Sequence, residues 1–234
     1  SGDMGWSIEC FPRCGGRPLD EPNTAQWLEL GRLLARVHAV GSVHPPRDRI
    51  TIGPRQSGAL HLGYILDSGV LPAAVRGAYE AAVTALLDHV APLFQGVETI
   101  RIHGDVHRAN ILHRPDAPLR LIDFDDMAVG PPVQDLWMLL PGHLEHSRLE
   151  LALLLEGYET FRPFDRSTLR LIEPLRALRF IHYTAWCARQ KADGGFARLA
   201  PDWGTEAFWR QELQDLERQR QEIEDALERF DPAP

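Results

Sequence analysis

A chain of 234 residues, 44% hydrophobic and 25% charged, has the composition of an ordinary globular protein and is long enough to bury a substantial core as one large or two small domains. Its formal net charge of −8 argues against broad nucleic-acid binding, which draws on a basic face, and no run approaches the roughly 20 apolar residues of a membrane-spanning helix. Cys10, Cys14 and Cys187 form no paired set, and Ser1-Gly2-Asp3-Met4 lacks the basic and apolar regions of a secretory leader, so neither a disulfide framework nor a zinc site is expected and a reducing, cytoplasmic setting is.

Along the chain, residues 6–14 (WSIECFPRC) read as a short strand ending near Pro12, which cannot donate to a sheet ladder, and Gly15-Gly16 then turns the backbone. Asn23 or Thr24 caps a helix through about Val40, with Trp27, Leu30, Leu33, Leu34 and Val37 recurring on one face. Gly41 is placed to end that helix, and His38 within it reads as a core or interface residue. Residues 41–72, rich in Pro, Gly and Arg, show little periodicity and are expected as an ordered loop with short turns. An amphipathic helix follows from 73 to about 93. Apolar runs at 99–102, 111–113 and 119–124 read as brief strands flanking loops. The remainder is helical, at about 133–140, 147–161, 167–191 and 205–230, with Pro174 either near a helix start or at a kink. Trp137, Tyr183, Trp186, Phe208 and Trp209 have core-like spacing, and Arg176 and Arg179 read as a salt-bridged helix face, with a substrate cleft as the alternative. The expected class is α+β, mainly α, with a Pro-rich tail at Asp231–Pro234.

The densest polar signal lies between two of the short strands: His103-Gly104-Asp105-Val106-His107-Arg108-Ala109-Asn110, with Asp123 thirteen residues after Asn110 in the run Ile122-Asp123-Phe124-Asp125-Asp126. One carboxylate sits in a loop, an amide follows five residues later, and a second carboxylate ends the next strand. Phosphoryl transfer from ATP calls for such a set, because the protein supplies positioning and charge neutralisation rather than covalent chemistry. One Asp takes the proton of the attacking hydroxyl. An Asn and a second Asp offer the oxygen ligands that Mg²⁺ prefers. The D-x₄-N spacing equals that of the kinase catalytic loop. Asp125 and Asp126 read as exposed acids, and His107 is divided between loop structure and acceptor contact.

HGDVHRAN followed by IDFDD resembles the signature of the aminoglycoside phosphotransferase and choline kinase-like superfamily. The extension through Gly130-Pro131-Pro132-Val133-Gln134-Asp135-Leu136-Trp137 is similar to its bacterial stress response kinase group of Ser/Thr protein kinases, as are FPRCGGR, LGRLLARVH at 30–38 and IEPLRALRFIHYTAWCARQ at 172–190. The resemblance implies a protein-kinase-like C-terminal lobe over 15–230, preceded at 1–14 by a residual strand and the interlobe hinge. It implies Asp105 as the catalytic residue, Asn110 and Asp123 as Mg²⁺ ligands, and His103 and Asp135 as structural support for the loop. Phe11 and Arg13 would be hinge contacts to the adenine of ATP. The acceptor would be a protein or a small hydroxyl-bearing molecule, and neither nucleic acid nor membrane is an expected partner.

Kinases also hold the α- and β-phosphates with a lysine upstream of the catalytic loop. Lys191 is the only lysine here, and no Gly-rich phosphate-covering loop precedes His103. The N-terminal nucleotide lobe is therefore expected to be absent, and this chain alone is expected to transfer little phosphate. Two other readings stand beside the kinase: a catalytically silent binding module, and a metallophosphoesterase built on His103, Asp105 and His107. The latter lacks the Asn-His pair common in dimetal sites.

Overall fold

The computed structural model describes residues 15–43, 48–115, 117–191 and 194–230. The expected strand over 6–14, the hinge residues Phe11 and Arg13, Cys10, Cys14 and the tail at 231–234 lie outside these.

Helix α1 (Thr24–Val43) begins at a reciprocal cap. The Asn23 side chain accepts from the Gln26 amide at 3.0 Å, and the Gln26 side chain accepts from the Asn23 amide at 2.9 Å. Trp27, Leu30 and Leu34 are buried along one face. Gly41 does not end the helix but lies inside it, where a Cβ would stand 2.0 Å from the Arg101 carbonyl. The glycine is there for close approach rather than for a turn.

The stretch from Gly41 to Pro72 is more ordered than expected. A π-type turn at Pro54–Gly58 runs directly into α2 (Ala59–Asp67), with His61, Leu62 and Ile65 buried. Gly and Pro interrupt the apolar period there, so no helical face was legible in the sequence. Helix α3 (Ala73–Val90) follows and passes into a 3₁₀ turn at Ala91–Phe94.

Two small antiparallel sheets carry the polar motifs. Strands β1 (Arg17–Pro18), β3 (Ile111–Arg114) and β4 (Ala117–Leu121) form one, in the order β1-β3-β4; β2 (Ile100–Ile102) and β5 (Ala128–Gly130) form the other. Ile102 faces Ala128 and Ile111 faces Leu121 across the ladders. These registers bring both ends of the 103–127 segment together.

The helices then build the floor: α4 (Val133–Trp137), α5 (Arg148–Tyr158), α6 (Ile172–Gln190), α7 (Gly194–Leu199) and α8 (Glu206–Phe230). A 3₁₀ segment at Arg166–Leu171 leads into α6, so Pro174 occupies the helix's first turn and causes no kink. Helix α1 packs along α5, α2 against α6, and α3 against α8, where Tyr79 meets Trp209 edge-on at 5.2 Å. Trp137 and Trp209 are buried as expected. Tyr183 and Trp186 are not: they lie stacked on each other, 57% and 42% exposed.

Candidate active site

The loop after β2 is held from beneath by a fully buried carboxylate. Asp135 Oδ2 accepts from the His103 amide and Oδ1 from the Gly104 amide, both at 2.8 Å. Oδ2 also lies 2.9 Å from His38 Nε2, whose Nδ1 is 2.9 Å from the Tyr158 hydroxyl. One buried charge thus ties the loop to α1, α4 and α5. Burial pushes the Tyr158 hydroxyl up to about 12, so it remains a donor. A buried anion is tolerated only with such a complete set of donors.

His103 is packed rather than exposed. Its Nε2 donates to the Ile122 carbonyl at 3.0 Å, its Nδ1 accepts from the Asp105 amide at 3.3 Å, and its ring meets Phe124 at 4.7 Å. It therefore links the 103–110 loop to the strand end that carries Asp123. Gly104 has φ 87°, and a Cβ there would stand 2.5 Å from the Asp126 carbonyl, so only glycine fits. Gln134, itself oriented by the Trp137 indole, donates to the Gly104 carbonyl at 3.2 Å.

Asn110 closes the loop. Its Nδ2 donates to the Asp105 carbonyl at 3.0 Å, and its own carbonyl accepts from the Ile122 amide at 3.0 Å. The residue after Ile122 is Asp123, whose φ of 64° is in the left-handed region. A non-glycine residue held there is a backbone outlier, and such outliers cluster at functional sites. Asp105, Asn110 and Asp123 thus lie on one connected framework. With Nδ2 of Asn110 committed inward, Oδ1 is the side-chain atom left to accept. That atom and the exposed Asp123 carboxylate are both hard oxygen donors, the kind that suits a hard divalent cation rather than a softer metal.

The site is strongly acidic. Partial burial, with Asp105, Asp123 and Asp125 close by, pushes the Asp126 carboxyl above its ordinary range against the opposing charge of Arg179. Arg179 is the feature that sequence reasoning placed least well. It does form a salt bridge, but with Asp105: Nη2 donates to Oδ1 at 2.7 Å, across 74 residues of sequence. His107 Nε2 lies 3.4 Å from the other oxygen, Oδ2. Behind Arg179, His182 Nδ1 and His61 Nε2 are 3.1 Å apart. Both rings are pushed down to about 4, chiefly by burial, with Arg179 and Arg189 adding to the shift at His182. Arg49, Asp125, Asp126, Arg179 and His182 line a cavity of about 280 Å³ beside the loop. No sequence signal marked the two histidines, since pairing them requires α2, which lacked a readable period.

A second polar cluster, His143, Glu173 and Glu222, lies away from this loop. Glu173 there is already met by Arg176 at 3.0 Å and Gln219 at 3.0 Å, so its charge is answered within the protein.

The chain is similar to known phosphotransferases. A family model described as "Phosphotransferase enzyme family" matches residues 1–172. Stress response kinase A of Salmonella paratyphi A is 36% identical over 217 residues, 89% of this chain and 63% of that protein. The serine/threonine protein kinase RdoA of Salmonella typhimurium matches with the same identity and coverage. The chain thus spans just under two thirds of the length of these curated relatives. Among solved structures, the amicoumacin kinase hAmiN, in complex with AMP-PNP, Ca²⁺ and Ami, superposes with a TM-score of 0.60 at 19% identity, covering 91% of this chain and 63% of that one. At that identity the likeness establishes the fold.

Proposed function

Because this chain belongs to the phosphotransferase enzyme family, we propose that the protein transfers the γ-phosphoryl group of ATP to a hydroxyl, with the serine or threonine of a protein as acceptor. The observation that carries the reading is the single framework joining Asp105, Asn110 and Asp123, with Asn110 bonded both to the backbone of Asp105 and to the residue preceding Asp123. Residues 15–230 are read as the lobe that presents this framework.

In this reading Asp105 accepts the proton of the acceptor hydroxyl as it attacks. Asn110 Oδ1 and the Asp123 carboxylate would hold Mg²⁺, which when bound neutralises charge on the phosphate oxygens. Asp135 and His103 keep the loop in place without touching the reactants. None of residues 1–102 is a lysine, so within this chain arginine is the permanently charged side chain upstream of the loop for the phosphates. The buried, unpaired thiol of Cys187 suits a reducing cytoplasm.

The full-length gene product, supplied with Mg²⁺ and γ-labelled ATP, is expected to label protein acceptors. Asp105→Ala should lower the rate by about 10²–10⁴-fold, the usual worth of a general base. Asp123→Ala should be far more damaging than Asp126→Ala, whose carboxylate is outside the donor pair; equal activity of the two would refute the assignment of the metal ligands. A small-molecule acceptor is the second reading. It is favoured by the small size of the 280 Å³ cavity and by the amicoumacin kinase likeness. Labelling of amino alcohols or aminoglycosides, with protein mixtures unlabelled, would select it.

A further inference from the structure

The packing of α6 is carried by its apolar face rather than by Arg179. The helix is anchored by Ile172, Leu175, Leu178, Ile181 and Ala185, all buried on its opposite side from solvent. The guanidinium instead reaches over the loop to Asp105 Oδ1 at 2.7 Å, with side-chain exposures of 28% for Arg179 and 14% for Asp105. It is a charge-assisted hydrogen bond sheltered from bulk water, the kind that restrains geometry as well as adding energy.

Restraint at this carboxylate has a chemical use. A free Asp on a loop turns about its terminal torsion and, beside two ligands for a divalent cation, is drawn toward that cation. A carboxylate engaged with metal is a poor proton acceptor. A guanidinium on one oxygen holds the group back and leaves Oδ2, near His107, for the incoming hydroxyl. Behind Arg179, His182 Nδ1 and His61 Nε2 are 3.1 Å apart, so the side chain that bonds Asp105 from α6 is the guanidinium.

We propose that Arg179 is a positioning residue for phosphoryl transfer, fixing the Asp105 carboxylate by one oxygen so that the other meets the acceptor hydroxyl. The inference rests on the phosphotransferase reading above. It extends that reading to a residue on a late helix, outside both the catalytic loop and the metal-bearing strand.

The test is a comparison of wild type, Arg179→Gln, Arg179→Lys and Arg179→Ala in the full-length protein. Misplacement of a reacting group by about 1 Å costs on the order of 10²-fold. Arg179→Gln should therefore lower kcat by roughly 10–100-fold, with the Kd for Mg–ATP and the melting temperature close to wild type. Arg179→Lys, which keeps one charged donor, should recover part of the loss, and millimolar guanidinium should partly restore Arg179→Ala. A merely structural ion pair would show the reverse: a lowered melting temperature, weakened Mg–ATP binding and no recovery by either route. That pattern overturns the inference, as does an Arg179→Gln protein with wild-type kcat. A wild type that neither binds Mg–ATP nor labels any acceptor would overturn the phosphotransferase reading and this inference together, whereas an active wild type with an equally active Arg179→Gln overturns only the latter.

Discussion

Asp135 shows how much of this loop depends on one fully buried side chain. Its carboxylate satisfies two loop amides and a buried histidine, and none of these has an alternative partner in water. Asp135→Ala should destabilise the fold by about 3–5 kcal/mol, the usual cost of breaking a buried pair, a large share of the 5–15 kcal/mol that holds a typical domain together. Tyr158→Phe, one bond further out, should cost only about 0.5–1.5 kcal/mol. Urea unfolding of both variants checks the ranking, and similar midpoints for the two would contradict it. The sequence displayed the 103–110 loop and Asp123 plainly, since polar residues at fixed offsets between apolar runs need no tertiary information to be seen. Arg179 was legible as an ion-paired residue of a helix face or as a lining of a cleft, but not as the partner of Asp105. Its partner lies 74 residues away, and nothing in the local pattern could name it.

The crossing of α1 and α5 sets the height of the loop above the helices. A Cβ on Gly31 would stand 2.0 Å from the Leu154 carbonyl, and one on Gly157 would stand 2.1 Å from the Leu28 carbonyl. Each glycine admits the other helix's backbone, and the approach delivers His38 and Tyr158, seven residues after Gly31 and one after Gly157, to the same buried acid. Gly157→Ala should therefore cost about 1–3 kcal/mol or more through overpacking. Gly77, exposed in α3 with open space around its Cα, provides the control: Gly77→Ala should stabilise by about 0.5–1 kcal/mol. Thermal melts that moved in the same direction for both would refute the packing argument. Helices α1, α3, α5, α6 and α8 were legible because their apolar faces repeat at helical spacing over many turns. Helix α2 was not, because Pro54, Gly58 and Gly63 break the period and its order comes from packing against α6.

Across the whole molecule, stability should depend on pH through the His61–His182 pair. Both rings resist protonation in the folded state down to about 4, while the unfolded chain takes up protons near the ordinary 6.5. The unfolded state therefore binds more protons between those values. Stability should be full above about pH 6.5 and fall as the pH drops toward 4. Melting temperatures at pH 7 and pH 5 check this, and the double variant His61→Gln/His182→Gln should narrow the gap; an unchanged gap would assign the acid sensitivity elsewhere. The backbone at Asp123 has a φ of 64°, a conformation that glycine adopts without steric strain. A chain shaped by robustness alone would drift to glycine at this position and gain from the exchange. Keeping an acid there holds the molecule away from its own thermal optimum, so directed selection for heat resistance should find Asp123→Gly early and arrive at a sturdier protein without the carboxylate.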